Sequence, residues 1–333
     1  MVAIEVIYKT VLALTLVRGV ALAEDTTDPS LRSFVSAAIG SNRIGFAPSF
    51  SAKRDVRFYL YTPLTEIESH VFSIENAGSL SRTFYNTSLP LRIIIHGWMN
   101  NVTSLAIRGI KDAYLERGDY NVIGVDWNKG AAEPYLRASQ YTLAVGYVVA
   151  DLINRIVRSN MTKMDEIFLI GHSLGAHIAG NAGHLVTVGR VKTIFGLDPA
   201  SINFFEDEPD TRLSANDAEY VEVIHTNTQF SGYPHPIGQV DLYVNYGKKQ
   251  PGCLTESCSH GRSIEFFMES LAKDCKGFWG ARCDDYNELK TKTCYNLKQQ
   301  ALMGGDPPRY ENEKGIYVVV TSVDPPYALG YNY

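Results

Sequence analysis

The residues best suited to chemistry form a short glycine-rich segment, Gly171-His172-Ser173-Leu174-Gly175. Its spacing, G-x-S-x-G, arises by chance in many chains, so the context decides its meaning. The apolar run Ile167–Ile170 precedes it, and a small-residue helical pattern, Leu174–Leu185, follows it. A sharp turn between a buried strand and a helix exposes a serine hydroxyl, and the two glycines leave room for that turn. The segment therefore predicts Ser173 as a nucleophile, and an ordinary surface serine in a tight turn is the alternative.

A serine nucleophile needs a histidine to take its proton and a carboxylate to orient that histidine. In α/β hydrolases the acid and then the histidine follow the serine along the chain. Asp198 ends an apolar strand and is the predicted acid, although an Asp before Pro is also a common turn former. His260 is the predicted base, since His225 closes a strand and His235 lies between two prolines. Four histidines precede Asp198 and break the order: His96, His172, His177 and His184.

An acyl-transfer site also needs backbone donors for the oxyanion of its tetrahedral intermediate. The N–H of Leu174, directly after the nucleophile, is one expected donor. His96-Gly97-Trp98 ends the apolar run Leu91–His96, so the N–H of Trp98 is the other. A strand-end turn with a buried aromatic is a second interpretation of this segment, and both interpretations can hold together.

Apolar runs alternate with helical patterns along the chain. The predicted strands are Val56–Tyr61, Leu91–His96, Val122–Asp126, Ile167–Ile170, Val191–Leu197, Tyr220–His225 and Val240–Val244, and the predicted helices among them are Ser139–Val157 and Leu174–Leu185. This order favours an α/β fold with a central, mostly parallel sheet flanked by helices. After about residue 250 we expect a helix over Ile264–Leu271 and a strand near Gly315–Ser322, with loops elsewhere. No linker divides the chain, so residues 24–333 form one expected domain.

The N-terminus and the cysteines indicate export. Residues 1–23 resemble a secretory signal, with Lys9 before an apolar run and a cleavage site at Ala21-Leu22-Ala23; a short buried helix is the alternative. The five cysteines cluster late in the chain without zinc-site spacing, which favours disulfides. Three sequons, at Asn86, Asn101 and Asn160, predict glycosylation of a secreted chain. The net charge of −5 argues against nucleic-acid binding, and no later apolar run is long enough for a transmembrane segment.

Taken together, these segments resemble the pancreatic lipase family of secreted lipases and phospholipases A1. The matching stretches are IIIHGW, VIGVDW, IFLIGHSLGAHIAG, FGLDPA, DAEYVEVIHT and PGC…CSHGRS. The resemblance implies the α/β-hydrolase fold, a catalytic triad of Ser173, Asp198 and His260, and an oxyanion hole at Trp98 and Leu174. It implies a lipid substrate met at a membrane or lipid–water interface, and no cofactor.

The departures from the family narrow the expected substrate. Triacylglycerol lipases of the family carry a long lid closed by a disulfide, whereas here Cys253 and Cys258 enclose only residues 254–257. The resemblance implies this pair and a second disulfide, Cys283–Cys294. Cys275 is then left over, as a buried thiol or as a partner of Cys294 or of another chain. Short loops are typical of the family's phospholipases A1, notably those of insects, and also occur in neutral lipases.

Two further family features are not expected here. The chain ends soon after the catalytic part, so we expect no C-terminal β-sandwich domain. In the family's calcium-binding stretch, Ser214 and Pro209 stand where carboxylates are expected, and we predict no bound calcium although Asp217 is kept. Three alternatives to a phospholipase A1 stay open at this point: a neutral triacylglycerol lipase, a short-chain esterase, and a non-catalytic yolk-type lipid-binding protein. The complete triad disfavours the last.

Overall fold

A computed structural model describes residues 50–65, 69–294, 296–308 and 314–331. Within these ranges, eleven strands form one sheet: β1 (Arg57–Tyr61), β2 (His70–Phe72), β3 (Leu91–Ile95), β4 (Asn121–Asp126), β5 (Ile167–His172), β6 (Thr193–Leu197), β7 (Tyr220–His225), β8 (Val240–Val244), β9 (Phe278–Cys283), β10 (Asn296–Met303) and β11 (Gly315–Val319). The order across the sheet is β10-β9-β11-β8-β7-β6-β5-β3-β4-β1-β2. The predicted signal segment, residues 1–23, lies outside the described residues.

The centre of the sheet is parallel and its two edges are antiparallel. Strands β4, β3, β5, β6, β7, β8 and β11 run parallel to one another. Strands β1 and β2 on one edge, and β9 and β10 on the other, pair antiparallel. Every residue of β3, β5, β6, β7 and β8 is buried, as expected for parallel strands covered on both faces.

Helices cover both faces of this sheet. They are α1 (Ala52–Asp55), α2 (Leu105–Arg117), α3 (Asn128–Ala131), α4 (Tyr135–Gln140), α5 (Thr142–Arg158), α6 (Leu174–Leu185), α7 (Glu256–Leu271) and α8 (Tyr286–Thr291). Apolar residues of α5 and α6 pack with one face of the strands, and those of α2 and α7 pack with the other. This is the predicted α/β-hydrolase architecture. None of the described helices combines the length and apolar character that a bilayer crossing requires.

The prediction that most of the region after residue 250 is loop was wrong. Helix α7 begins at Glu256, eight residues before the predicted start, so His260 lies on a helix. Strands β9 and β10 and helix α8 also lie in this region. The predicted helix Ser139–Val157 is divided into α4 and α5, and α2 was not predicted. The seven earlier predicted strands are confirmed, with ends that differ by at most two residues.

Candidate active site

Ser173 lies at a strained turn between β5 and α6. Its backbone has φ 58° and ψ −123°, a conformation that non-glycine residues rarely adopt. A Cβ atom at Gly171 would lie 2.2 Å from the carbonyl oxygen of Gly175, and one at Gly175 would lie 2.2 Å from that of Ile95. Both glycines are therefore required for the close approach of α6 to the sheet, as the sequence predicts.

Asp198 and His260, 62 positions apart in the chain, are hydrogen-bonded to each other. The Nδ1 of His260 lies 2.6 Å from Oδ2 of Asp198, whose side chain is fully buried at the end of β6. The other carboxylate oxygen, Oδ1, accepts the main-chain N–H groups of Thr226 at 2.7 Å and Asn227 at 3.0 Å. A Cβ atom at Gly232 would lie 2.4 Å from the same Oδ1. Three hydrogen bonds and close packing thus hold the carboxylate in one orientation.

The backbone donors Thr226 and Asn227 were missed by the sequence analysis. They directly follow β7, which is the parallel neighbour of β6, so their N–H groups reach the carboxylate that ends β6. The sequence order of the strands could have predicted them. Consecutive parallel strands such as β6 and β7 bring their carboxyl ends to one edge of a sheet.

Helix α7 carries His260 in its second turn, close to a fixed end. The helix begins at the N-cap residue Thr255, whose side chain accepts the N–H of Cys258 at 3.2 Å. A disulfide with a Cα–Cα distance of 5.5 Å joins Cys253, which precedes the helix, to Cys258 in its first turn. Cap and disulfide together fix where the helix starts and hence where His260 stands.

His172 packs directly against the imidazole of His260. The two ring centroids are 4.5 Å apart, and Nε2 of His172 donates to the carbonyl oxygen of His260 at 3.2 Å. Burial, with a smaller contribution from the neighbouring His260, lowers the pKa of His172 to about 3. His172 therefore stays neutral and places no positive charge beside His260 at neutral pH.

The oxyanion-hole segment lies against the elbow. A Cβ atom at Gly97 would lie 2.8 Å from Cβ of Ser173 and 3.3 Å from its Oγ. The Trp98 side chain is 39% exposed, so the alternative of a buried aromatic was wrong. Its indole N–H nevertheless donates to the carbonyl oxygen of Glu133 at 2.9 Å, and its ring meets Tyr135 edge-on at 5.3 Å. The Trp98 backbone is thus anchored from the α3–α4 side.

Leu174 is the first residue of α6, directly after Ser173. The N–H of a first helical residue has no carbonyl acceptor within its own helix and points toward the helix N-terminus. The positive end of the helix dipole also favours negative charge there. The structure thus joins Asp198 to His260 by a hydrogen bond and places the Ser173 backbone against Leu197 and Ala200, which flank Asp198. It also places Gly97, from the predicted oxyanion segment, against Ser173.

The rival histidines have structural partners. His225 is fully buried, with Nε2 2.9 Å from Oδ1 of Asp241 and Nδ1 3.0 Å from the carbonyl oxygen of Tyr233. The expectation that His225 serves packing or hydrogen bonding is confirmed. His235 is partly exposed and lies 4.0 Å from a carboxylate oxygen of Glu206.

The cysteines form two bridges, Cys253–Cys258 and Cys283–Cys294. The alternative in which Cys275 pairs with Cys294 was therefore wrong. Cys275 is half-buried, and its sulfur accepts the N–H of Gly277 at 3.4 Å.

The stretch compared with the family's calcium site is closed by its own hydrogen bonds. Asp217 accepts the N–H of Ser214 at 2.7 Å, and burial raises the pKa of its carboxyl to about 7. The Arg212 guanidinium donates to three carbonyl oxygens of the adjoining loop, those of Phe205, Glu206 and Leu213. Within the described ranges, no group of three or more His, Cys, Asp or Glu side chains could hold a metal ion. The absence of bound calcium stays a prediction.

Comparison with known proteins places this chain in a family. A family model described as Lipase matches residues 36–322. The chain belongs to the lipase family. Among curated relatives of this lipase-family chain, Phospholipase A1 2 of Polistes dominula is 39% identical over 233 residues, covering 63% of this chain and 73% of the relative. Pancreatic lipase-related protein 2 of Cavia porcellus is 34% identical over 256 residues, covering 74% of this chain and 58% of the relative.

A third relative of the lipase-family chain, lipoprotein lipase of Rattus norvegicus, is 35% identical over 269 residues, covering 73% of this chain and 56% of the relative. The relatives thus include proteins named for phospholipid and for lipoprotein substrates.

Proposed function

We propose that this lipase-family protein hydrolyses acyl esters of phospholipids, in the manner of a phospholipase A1, through Ser173, His260 and Asp198. The observation that carries the proposal is the 2.6 Å hydrogen bond between His260 and a buried Asp198, next to a serine on a strained turn. A buried carboxylate on Nδ1 keeps the proton there and leaves Nε2 free to accept one.

The proposed reaction has two halves. His260 Nε2 takes the proton of Ser173 as the serine oxygen attacks the ester carbonyl, and the N–H groups of Leu174 and Trp98 stabilise the oxyanion. His260 then protonates the leaving alcohol, which departs and leaves an acyl-enzyme. His260 then takes a proton from a water molecule that attacks the acyl-enzyme, and returns it to the Ser173 oxygen as the fatty acid leaves. Asp198 orients the imidazole and stabilises its protonated form in both halves.

The shortness of the loop between Cys253 and Cys258 is an argument for a phospholipid as the substrate. Only four residues lie between Cys253 and Cys258, too few for a helix that would cover the site. A site without such a cover admits a substrate whose charged headgroup stays in water. The chain is 39% identical to the Polistes phospholipase A1 over 233 residues and 34% identical to the pancreatic lipase-related protein over 256 residues, which supports the same preference.

The substrate preference is tested by measuring fatty-acid release from phosphatidylcholine vesicles and from triolein emulsion. We expect a higher kcat/KM on phosphatidylcholine, because the headgroup needs an open, wet site. The sn-1 and sn-2 positions are distinguished with mixed-chain phosphatidylcholine. A preference for triolein would contradict the phospholipase assignment and favour a neutral lipase.

We also propose that the site works at a lipid surface. Each of the three segments that position it carries an exposed apolar side chain: Met99 (64% exposed) after the oxyanion segment, Phe230 (53%) in the loop around Asp198, and Leu254 (91%) before α7. Inserting an apolar side chain of this size into lipid contributes roughly 1.5–3 kcal/mol when it is fully buried. Such side chains beside the site would bring it to the ester bonds of a membrane.

The double variant Leu254→Asp/Phe230→Asp tests this surface. We expect at least about a tenfold loss of vesicle binding and of activity on vesicles, since two apolar contacts become two charges that lipid excludes. Hydrolysis of a water-soluble short-chain ester should stay within about twofold, because neither side chain belongs to the triad. Leu143→Asp is the matched control, at a side chain 49% exposed on α5. An equal effect of the control would contradict the proposed surface.

We also propose that the protein is secreted and glycosylated. The signal-like residues 1–23 support export, and two disulfides suit an oxidising compartment. Asn86 and Asn160 are exposed, and Asn101 is half-exposed. These positions are accessible to the glycosylation machinery.

A further inference from the structure

His96 is a buried titratable side chain that the proposed reaction does not use. It ends the apolar run of β3, directly before Gly97 and Trp98, and its side chain is fully buried. We propose that His96 is a positioning residue for the oxyanion hole: its Nδ1–H holds the Gly97 carbonyl and thereby orients the N–H of Trp98. This inference rests on the proposed function.

The neighbours of His96 select one tautomer. Nδ1 lies 2.9 Å from the carbonyl oxygen of Gly97, which only accepts hydrogen bonds, so Nδ1 carries a proton. In the neutral ring with this proton, Nε2 carries a lone pair and accepts the N–H of Trp127, whose main-chain nitrogen lies 3.2 Å away. In the opposite neutral tautomer, the Nδ1 lone pair would face the carbonyl oxygen of Gly97, and the Nε2 proton would face the N–H of Trp127.

Asp126 is the charged group that faces the same ring. Its Oδ1 lies 3.2 Å from Nε2 of His96 and accepts the N–H of Asn128 at 2.9 Å. Because a carboxylate only accepts hydrogen bonds, this contact is a hydrogen bond only when Nε2 also carries a proton. A protonated His96 would donate Nε2–H to Asp126 and lose the bond from Trp127, while Nδ1–H would still hold Gly97.

Peptide geometry carries the effect from Gly97 to Trp98. In a planar trans peptide the C=O of one residue and the N–H of the next point in opposite directions. Holding the Gly97 carbonyl toward His96 therefore turns the Trp98 N–H to the other side. Gly97 lies against the nucleophile, since a Cβ there would be 2.8 Å from Cβ of Ser173. The donor is then fixed before the oxyanion forms, which is the condition for strong stabilisation.

Trp127 makes this arrangement rigid. Its indole N–H donates to the carbonyl oxygen of His96 at 2.9 Å, and its ring stacks on the imidazole at 5.7 Å between centroids. Trp127 is fully buried just after β4, the parallel neighbour of β3. Gly97 itself has no side chain, and glycine backbones adopt many conformations. Without the Nδ1–H donor, nothing in the His96 side chain would oppose rotation of the Gly97–Trp98 peptide.

Two variants separate the donor from the ring. His96→Phe keeps an aromatic ring on Trp127 but has no N–H, whereas His96→Asn places a side-chain N–H near the position of Nδ1. We expect His96→Phe to lower kcat on a soluble ester about 10- to 100-fold with KM changed less than about threefold, because loss of one oxyanion donor costs about 10²–10³ in kcat. His96→Asn should retain kcat within about fivefold, since an amide N–H can serve as the same kind of donor.

A reversible trifluoromethyl ketone inhibitor gives a second readout. Its carbonyl carbon bonds to the Ser173 oxygen, and its own oxygen takes the negative charge in the oxyanion hole. We expect its affinity to fall in parallel with kcat in His96→Phe, while the affinity for an unreactive ether analogue of the substrate stays unchanged. A purely structural role for His96 would weaken both ligands alike, and that result would overturn the proposal.

The tautomer of His96 tests the proposal in the unmodified protein. Two-dimensional ¹⁵N–¹H NMR of histidine-labelled protein, with His96→Asn to assign the signal, should show a protonated Nδ1. A proton on Nε2 alone would overturn the proposal even if His96→Phe fails to fold. If Ser173→Ala kept full activity, the proposed function would fail while the tautomer result still stood on its own.

Discussion

Ser173→Ala should lower kcat on phosphatidylcholine by about 10⁵–10⁶-fold, the size of loss that removal of a triad nucleophile causes. The substitution removes only the hydroxyl group. Alanine keeps the Cβ, which the turn already accommodates at the strained φ of 58°. The variant should therefore fold with an unchanged melting temperature. Fatty-acid release and thermal unfolding, measured on the same preparations, separate loss of the nucleophile from loss of the fold.

A fluorophosphonate probe identifies the reacting serine directly. The serine oxygen bonds to phosphorus as its proton passes to His260 and fluoride leaves. The wild-type protein therefore gains the mass of the probe less HF on Ser173, and Ser173→Ala gains none. Ser159→Ala, at an exposed serine after α5, is the matched control and should behave as wild type. Unlabelled wild type without esterase activity would favour the yolk-type alternative, and labelling of another serine would contradict the assignment of Ser173.

The central strands could be predicted because their sequences are dominated by burial. Strands β3, β5 and β6 lie between two helical layers, so most positions are apolar and the pattern is visible without tertiary information. The strand-to-helix switch at Ser173 follows from the same pattern and from two glycines. The order of Asp198 and His260 along the chain then restricts the partners.

The region after residue 250 could not be predicted in the same way. Strand β9 lies near an antiparallel edge of the sheet and alternates only partly between buried and half-buried residues. The first turns of α7 carry Cys258, Ser259, His260 and Gly261 rather than apolar residues, because this end of the helix serves the site and the disulfide. Local function there replaces the apolar periodicity on which sequence-based prediction depends.

The contacts around the site depend on neighbours far apart in the chain. The bonds from Thr226 and Asn227 to Asp198 require β6 and β7 to be adjacent, and the bond from Trp127 to His96 requires β3 and β4 to be adjacent. These pairings are visible in the sheet order and not in any local window of sequence. Residue types therefore predict which residues form the site, while the order of the strands in the sheet determines which hydrogen bonds hold each side chain.

Asp198→Asn should lower kcat by about 10⁴-fold with little change in KM, because the same change in a serine-protease triad traps the wrong histidine tautomer. The structure gives a reason to expect this here. Two main-chain N–H groups, those of Thr226 and Asn227, donate to Oδ1 of Asp198. An asparagine must place its carbonyl oxygen at that position, so its NH₂ group faces Nδ1 of His260 and donates to it. The imidazole then carries its proton on Nε2 and has no lone pair there for Ser173.

Asp151→Asn is the matched control, because it removes a carboxylate from a partly exposed ion pair with Arg155 on α5. It should change kcat by less than about twofold, as surface ion pairs contribute little. The rate of fluorophosphonate labelling should fall with kcat in Asp198→Asn, since both reactions need His260 as a base. Full activity of Asp198→Asn, with the fold intact, would show that His260 does not depend on this carboxylate. The buried hydrogen bond would then be structural, and the acid of the triad would have to be sought elsewhere.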